Sequence, residues 1–252
     1  EAERQARRSQ ATSDFLATVL SGIDPDIAYD LDKSLMRKIL DEAARRASSE
    51  LADQPEALAE IERIISNSYQ SLGEFGNAVV HARRSYQMLL AQRGPDDERT
   101  LSQARTLGRL ETDNGNVDEA IVFLREALER ARTALGKDAK VTLQIEQSLG
   151  WALREDSQRE AALAMISAAA DRMEATLGTD NENTLETRQI QAILLGDLDR
   201  QDEDIPLLQA QIDRWIARDG ADHARVLNMR NSLAVFHLQR RQFAEAEQVL
   251  AE

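Results

Sequence analysis

Gly94, Gly136, Gly178 and Gly220 stand at equal intervals of 42 residues. Two positions after each glycine comes Asp96, Asp138, Asp180 and Asp222, and the pairs Thr100-Leu101, Thr142-Leu143, Thr184-Leu185 and Val226-Leu227 repeat at the same interval. A shared period in three independent markers means that the chain is built from copies of one unit, and that the unit decides the fold. Small residues recur at Ser66, Gly108, Gly150, Ala192 and Ala234, and again at Ala78, Ala120, Ala162 and Ala246, with Asp204 out of line. Large apolar residues recur at Ile65, Leu107, Leu149 and Leu233, and at Leu124, Ile166, Leu208 and Leu250. The pattern predicts two amphipathic helices per unit, brought close by the small residues and spaced from the next pair by the large ones. One such hairpin cannot cover its own apolar face, so the units must stack.

The turns carry their own signals. Inside the hairpins, "LGEFGNA" at 72–78 and "DNGNVDEA" at 113–120 place glycine or asparagine where a helix C-cap needs a positive φ. Between hairpins, Gly136 ends one helix and Asp138 serves as the N-cap or a first-turn acid of the next. The fourth unit departs most. Gln191 and Asp204 replace apolar and alanine positions, and Pro206 falls where the second helix should be under way, which predicts a late start capped by Asp204.

Composition agrees with an all-α chain: alanine, leucine, glutamate, arginine and glutamine dominate, while aromatic residues make up 4%. The formal charge of -14, from 31 basic and 45 acidic residues, argues against a general nucleic-acid binder, which needs clustered cations to release counterions. With no cysteine there are no disulfides and no thiolate metal sites. No apolar run approaches the roughly 18 residues of a membrane span, so no direct membrane insertion is expected. The sequence starts without methionine and stops inside a periodic helix, as expected of a soluble segment of a longer protein; its compartment stays open between the extracytoplasmic side of a bacterial membrane protein and the cytoplasm.

The small, apolar and alanine spacing, clearest in "TLQIEQSLGWAL" and "VLNMRNSLAVFHLQRRQFAEAEQVL", resembles the tetratricopeptide repeat family in its 42-residue, kinesin-light-chain-like form. The resemblance implies a right-handed α-α superhelix, a tetratricopeptide repeat (TPR) solenoid, with repeats over about 57–94, 97–136, 139–178 and 181–220 and a partial one over 223–252. Residues 1–56 are then an N-terminal helical cap. Phe15, Leu16, Val19 and Leu20 form an apolar stripe over 1–21, "GIDPDIAYD" breaks it, and a second helix is expected from about Lys33 to Leu51, ended at Gln54-Pro55. The cluster Arg4, Arg7 and Arg8 is read as a solvated helix face. The stretch from "DFLATVLSGIDP" to the Ile-Leu-Asp-x-Ala-Ala-x-Arg helix and the Gln-Pro-Glu turn also resembles the region after the membrane segment of bacterial serine/threonine protein kinases with C-terminal tetratricopeptide repeats, although Asp32 to Leu35 stand where a Gly and Thr-Val are usual. That would make the segment a sensory or regulatory part of such a kinase.

Nothing in the sequence points to catalysis or a cofactor. His81, His223 and His237 are far apart and lack carboxylates at metal-ligand spacing, and the glycines end helices instead of forming a phosphate loop. The expectation is a non-catalytic module that binds a protein or peptide in the groove lined by first helices. Helical geometry assigns Arg63, Asn67, Arg105, Arg109, Gln147, Trp151, Arg154, Gln189 and Asn231 to that groove. Arg105 and Arg109 are i,i+4 neighbours and Arg63 lies one period before Arg105, a basic ladder suited to an acidic ligand. Trp151 offers an aromatic anchor. The competing expectations are pairing of these arginines to Glu60, Asp113 or Glu155, packing of Trp151 on the next repeat, and self-association of the chain as a homodimer or scaffold.

Overall fold

The computed structural model describes residues 33–221 and 223–251. The helix expected over 1–21, with its apolar stripe and arginines, the break that follows it, and Asp222 lie outside the described residues. The helices are α1 (Lys33–Glu50), α2 (Pro55–Ser71), α3 (Phe75–Arg93), α4 (Glu98–Asp113), α5 (Val117–Ala134), α6 (Lys140–Glu155), α7 (Arg159–Leu177), α8 (Glu182–Asp197), α9 (Gln201–Asp219), α10 (Ala224–Gln239) and α11 (Phe243–Ala251). From α2 onward they pair as hairpins at the 42-residue interval. The chain divides into two compact units, the first ending at Phe123 and the second starting at Leu124, inside α5.

In the first unit, α1 shares a core with α2: Leu40, Ala43, Ala44 and Ala47 are buried in one cluster with Leu58, Ile61, Ile65 and Tyr69. The Tyr69 hydroxyl donates to Asp41 Oδ1 at 2.6 Å, tying the two helices. Burial, then the adjoining Asp41 carboxylate, pushes the Tyr69 phenol well above its usual range. Small hydroxyl residues bring α2 and α3 into close approach. Ser66 Oγ donates to the Ala78 carbonyl and Ser85 Oγ to the Ala59 carbonyl, both at 2.8 Å and buried.

The second unit packs the same way with different residues. Gly150 on α6 faces Ile166 on α7 so closely that an added Cβ would lie 2.6 Å from Ile166 Cδ1 and Cγ1. Gly196 stands in the same relation to the Phe236 ring. Ion pairs sit over the joints: Arg132 bonds Glu146 at 2.9 Å, and one period later the signs are exchanged, Glu174 accepting from Arg188 at 2.7 Å.

The fourth hairpin corrects the expectation drawn from Pro206. The helix does not start late under an Asp204 cap: α9 begins at Gln201 with Arg200 as N-cap and accommodates Pro206 within it. Asp204 is instead fully buried and ion-paired with Arg240, itself 9% exposed, so the next hairpin supplies the cation that makes an acid tolerable at an alanine position. A second correction concerns the caps. The N-cap residues are Asp97, Ala139, Asn181 and His223, one position beyond Asp96, Asp138 and Asp180. Asp97 Oδ1 accepts from the Arg99 amide at 2.9 Å and Asn181 Oδ1 from the Asn183 amide at 3.0 Å, while Ala139 has no side chain to offer.

Inside the hairpins, one register position takes a positive φ in every copy. Gly73 (76°) and Gly115 (89°) are followed at the same interval by Ser157 (61°), Asp199 (56°) and Arg241 (59°). The last three hold a left-handed conformation that a Cβ makes costly.

Candidate functional site

The first unit opens a cavity of about 430 Å³ between its first helices. Arg63 and Asn67 of α2 and Arg99, Arg105 and Arg109 of α4 line its sides, with Ser85 and Leu89 of α3 beneath. Gln103, also in the lining, donates to the Ala82 carbonyl at 3.3 Å and so holds α4 on α3. Four of the nine groove residues expected from the sequence therefore converge on one cavity. Arg99 joins them unforeseen. Its signal was the stripe Arg99, Ser102, Thr106, Arg109 at i, i+3, i+7 and i+10, which shares one helix face.

Three of these arginines are already engaged. Arg63 forks onto Glu60, with Nη2 2.6 Å from Oε1 and Nε 3.2 Å from Oε2, and this hydrogen bond tightens the guanidinium's hold on its proton. Arg109 Nε lies 3.3 Å from Asp113 Oδ1. The guanidinium of Arg105 donates to Thr106 Oγ1 at 3.4 Å.

The second unit treats the corresponding faces differently. Its first helices α6 and α8 are joined directly by side chains: Gln144 Nε2 donates to Asn183 Oδ1 at 2.6 Å, Gln147 Nε2 to Thr187 Oγ1 at 3.0 Å, and Arg154 forks onto Asp197 at 2.5 and 3.3 Å. Gln147, assigned to the groove from helical geometry, is buried, and its amide braces the joint between α6 and α8. Arg154 also bonds Glu155 at 2.8 Å and lays its guanidinium 4.9 Å from the centre of the half-buried Trp151 ring. Gln189 is half-buried and Asn231 exposed.

Other buried charges are accounted for by partners. Glu62 meets His81 Nδ1 at 2.6 Å, Glu111 accepts from Asn116 at 2.7 Å and pairs with Arg83, and Glu146 pairs with Arg132 and Arg172. Each of these carboxylates has the partner that a buried charge requires. His237 Nδ1 lies 2.8 Å from Gln242 Oε1. Among the described residues no group of three or more His, Asp and Glu is arranged to hold a metal ion, and no helix is long and apolar enough to cross a membrane.

Residues 98–166 match the family model described as Tetratricopeptide repeat. That stretch carries the tetratricopeptide repeat. Solved structures show a similar fold over most of the chain's length. Kinesin-light-chain TPR-like repeats from Podosopora anserina align with a TM-score of 0.61 at 19% identity, covering 79% of this chain and 93% of that one. BtubC (BKLC) from P. vanneervenii aligns at 0.58 and 18%, covering 83% and 84%. A Rap protein complexed with Competence and Sporulation Factor aligns at 0.61 and 13%, covering 84% and 67%. At these identities the repeats share a fold with their neighbours and no more. No curated protein matches the chain.

Proposed function

We propose that this segment is a non-catalytic docking module whose partner is an acidic stretch of polypeptide seated in the α2–α4 cavity of the first unit. The observation that carries this reading is the convergence of Arg63, Arg99, Arg105 and Arg109 on one cavity in a chain whose acids outnumber its bases 45 to 31. Arginine's planar fork suits carboxylates and binds them in pairs of hydrogen bonds. The cavity's floor and the rigid hairpins beneath it hold these side chains in place before a ligand arrives, which lowers the ordering cost of binding. The Rap protein of similar fold, crystallised with Competence and Sporulation Factor, supports the general role of such repeats in holding a partner.

A random peptide display panned on the wild-type chain and on the Arg105→Glu, Arg109→Glu variant tests this directly. The expected result is enrichment of acidic sequences on the wild type, their loss on the variant, and equal helicity and melting temperature for both. Enrichment without acidic bias, or enrichment that survives the double substitution, would overturn the assignment.

A further inference from the structure

We infer that Arg99, with Ser102 one turn on, is the subsite of the α2–α4 cavity that takes a side-chain carboxylate of the docked segment in a two-bond fork. The inference rests on the docking role of that cavity. Both side chains line it and both are half-buried. Among the described residues neither the Arg99 guanidinium nor the Ser102 hydroxyl has a hydrogen-bond or ion-pair partner. Arg63, Arg105 and Arg109 of the same lining each have one.

In the second unit the register position of Arg99 bridges first helices. Asn183, two periods after Arg99, accepts from Gln144 of the preceding first helix at 2.6 Å. Arg225, three periods after it, pairs with Glu182 at 2.8 Å and with Glu186, both on the preceding first helix. Glu56 and Glu60 stand before Arg99 at the same two separations. Neither holds it: Glu56 accepts from Arg93 at 3.1 Å, and Glu60 takes the two-bond fork of Arg63. Asp97, which caps α4, uses one oxygen on the backbone amides of Arg99 and Thr100 and has the other 3.8 Å from Arg93. Arg99 therefore holds the register of an inter-helix pair without its acid.

A half-buried guanidinium that lacks a counter-charge is a cost of the empty cavity, and a carboxylate arriving with the ligand removes that cost. The ligand then supplies to Arg99 what Glu182 and Glu186 supply to Arg225. Guanidinium presents two parallel N–H donors that match the two oxygens of a carboxylate. The Ser102 hydroxyl, on the same face of α4, adds a third donor to the same group, which has lone pairs enough to accept all three. Arg63, Arg105 and Arg109 contribute positive potential to the cavity, whereas Arg99 contributes the directed bonds. Arg99 is on this view the residue that makes the site select carboxylates.

The test uses the 252-residue chain and a fluorescent octaglutamate peptide, read by fluorescence anisotropy. Arg99→Gln should weaken binding roughly 10-fold, the loss of one charge-assisted fork. Its melting temperature should stay at the wild-type value, because no contact of the fold is removed. Arg99→Lys keeps the charge and cannot fork, so it should recover only part of the loss. Ser102→Ala should weaken binding by a smaller factor than Arg99→Gln. Wild-type affinity in Arg99→Gln, with binding still lost in Arg105→Glu, Arg109→Glu, overturns the subsite and leaves the docking site in place. Full recovery by Arg99→Lys overturns the fork, and wild-type affinity in Ser102→Ala overturns the third donor. A loss of binding that comes with a lowered melting temperature is an effect on the fold and overturns the assignment of Arg99 to the ligand. Absence of octaglutamate binding by the wild type overturns both the subsite and the docking site.

Discussion

Gly150→Ala should destabilise the protein even though alanine occupies the same register position in later repeats. The structure sets the terms. A Cβ at Gly150 would stand 2.6 Å from two carbons of Ile166, a residue with no exposed surface in which to swing aside. Overpacking a full core costs about 1–3 kcal/mol, against which alanine recovers about 1 kcal/mol of helix propensity. The net loss should reach about 2 kcal/mol. One period later Ala192 and Leu208 occupy the same two positions, both fully buried in one core cluster. The difference is the branch point: isoleucine branches at Cβ, beside the helix axis, whereas leucine branches one carbon further out. Ile166→Leu alone should cost under about 1.5 kcal/mol, and adding it to Gly150→Ala should recover most of the loss, a coupling energy of about 1–2 kcal/mol in a double-mutant cycle. Urea unfolding followed by far-UV circular dichroism measures all four corners. A neutral or stabilising Gly150→Ala, or a leucine that rescues nothing, would refute the reasoning that the paired positions are matched in shape.

Three further outcomes follow from buried charge, from titration and from backbone strain. Asp204→Ala strands the Arg240 guanidinium and should cost about 3–5 kcal/mol in urea unfolding, with Asp204→Ala, Arg240→Leu recovering a large part of it. A hydrogen bond from Arg188 holds the Glu174 carboxyl below its usual range; because its folded-state pKa is depressed, its stabilisation is present at neutral pH and lost as pH falls through the folded value, so the melting-temperature gap between wild type and Glu174→Gln should narrow as pH falls below the unfolded glutamate value of about 4.3. Arg241→Gly relieves a positive φ of 59° at an exposed position and should raise stability by about 0.5–1 kcal/mol, read by thermal unfolding.

How far the fold was legible depends on which residue type carries a feature. Gly73 and Gly115 announce a left-handed turn residue in the sequence, and the period then extends the same conformation to Ser157, Asp199 and Arg241, where composition alone gives no hint. Tertiary packing imposes the turn in the later copies and local preference assists it only in the earlier ones. The caps slipped by one residue because Asp96, Asp138 and Asp180 are more regular than the true series Asp97, Ala139, Asn181 and His223. Regularity in sequence marked the turn, while the backbone geometry of each helix start chose the neighbour. Pro206 misled for a related reason: a local breaker was weighed without the Asp204–Arg240 pair, which links residues 36 positions apart and cannot be seen from either one.

The site divides along the same line. Arg63, Arg105, Gln147, Gln189 and Asn231 occupy one register position, and helical geometry gives all five the same orientation. Orientation is a property of a single helix, and that much the sequence contains. Whether the position is available to a ligand depends on the next first helix. The Gln147 amide bonds Thr187, and two turns on Arg154 forks onto Asp197. In the first unit Arg63 and Arg109 bond Glu60 and Asp113 of their own helices, and a cavity lies between α2 and α4. A cavity lies beside the pairs made within α2 and within α4, whereas the bonds made between first helices join α6 directly to α8. Under the proposed docking role, charge placement, and not the repeat period, selects the helices between which a partner docks.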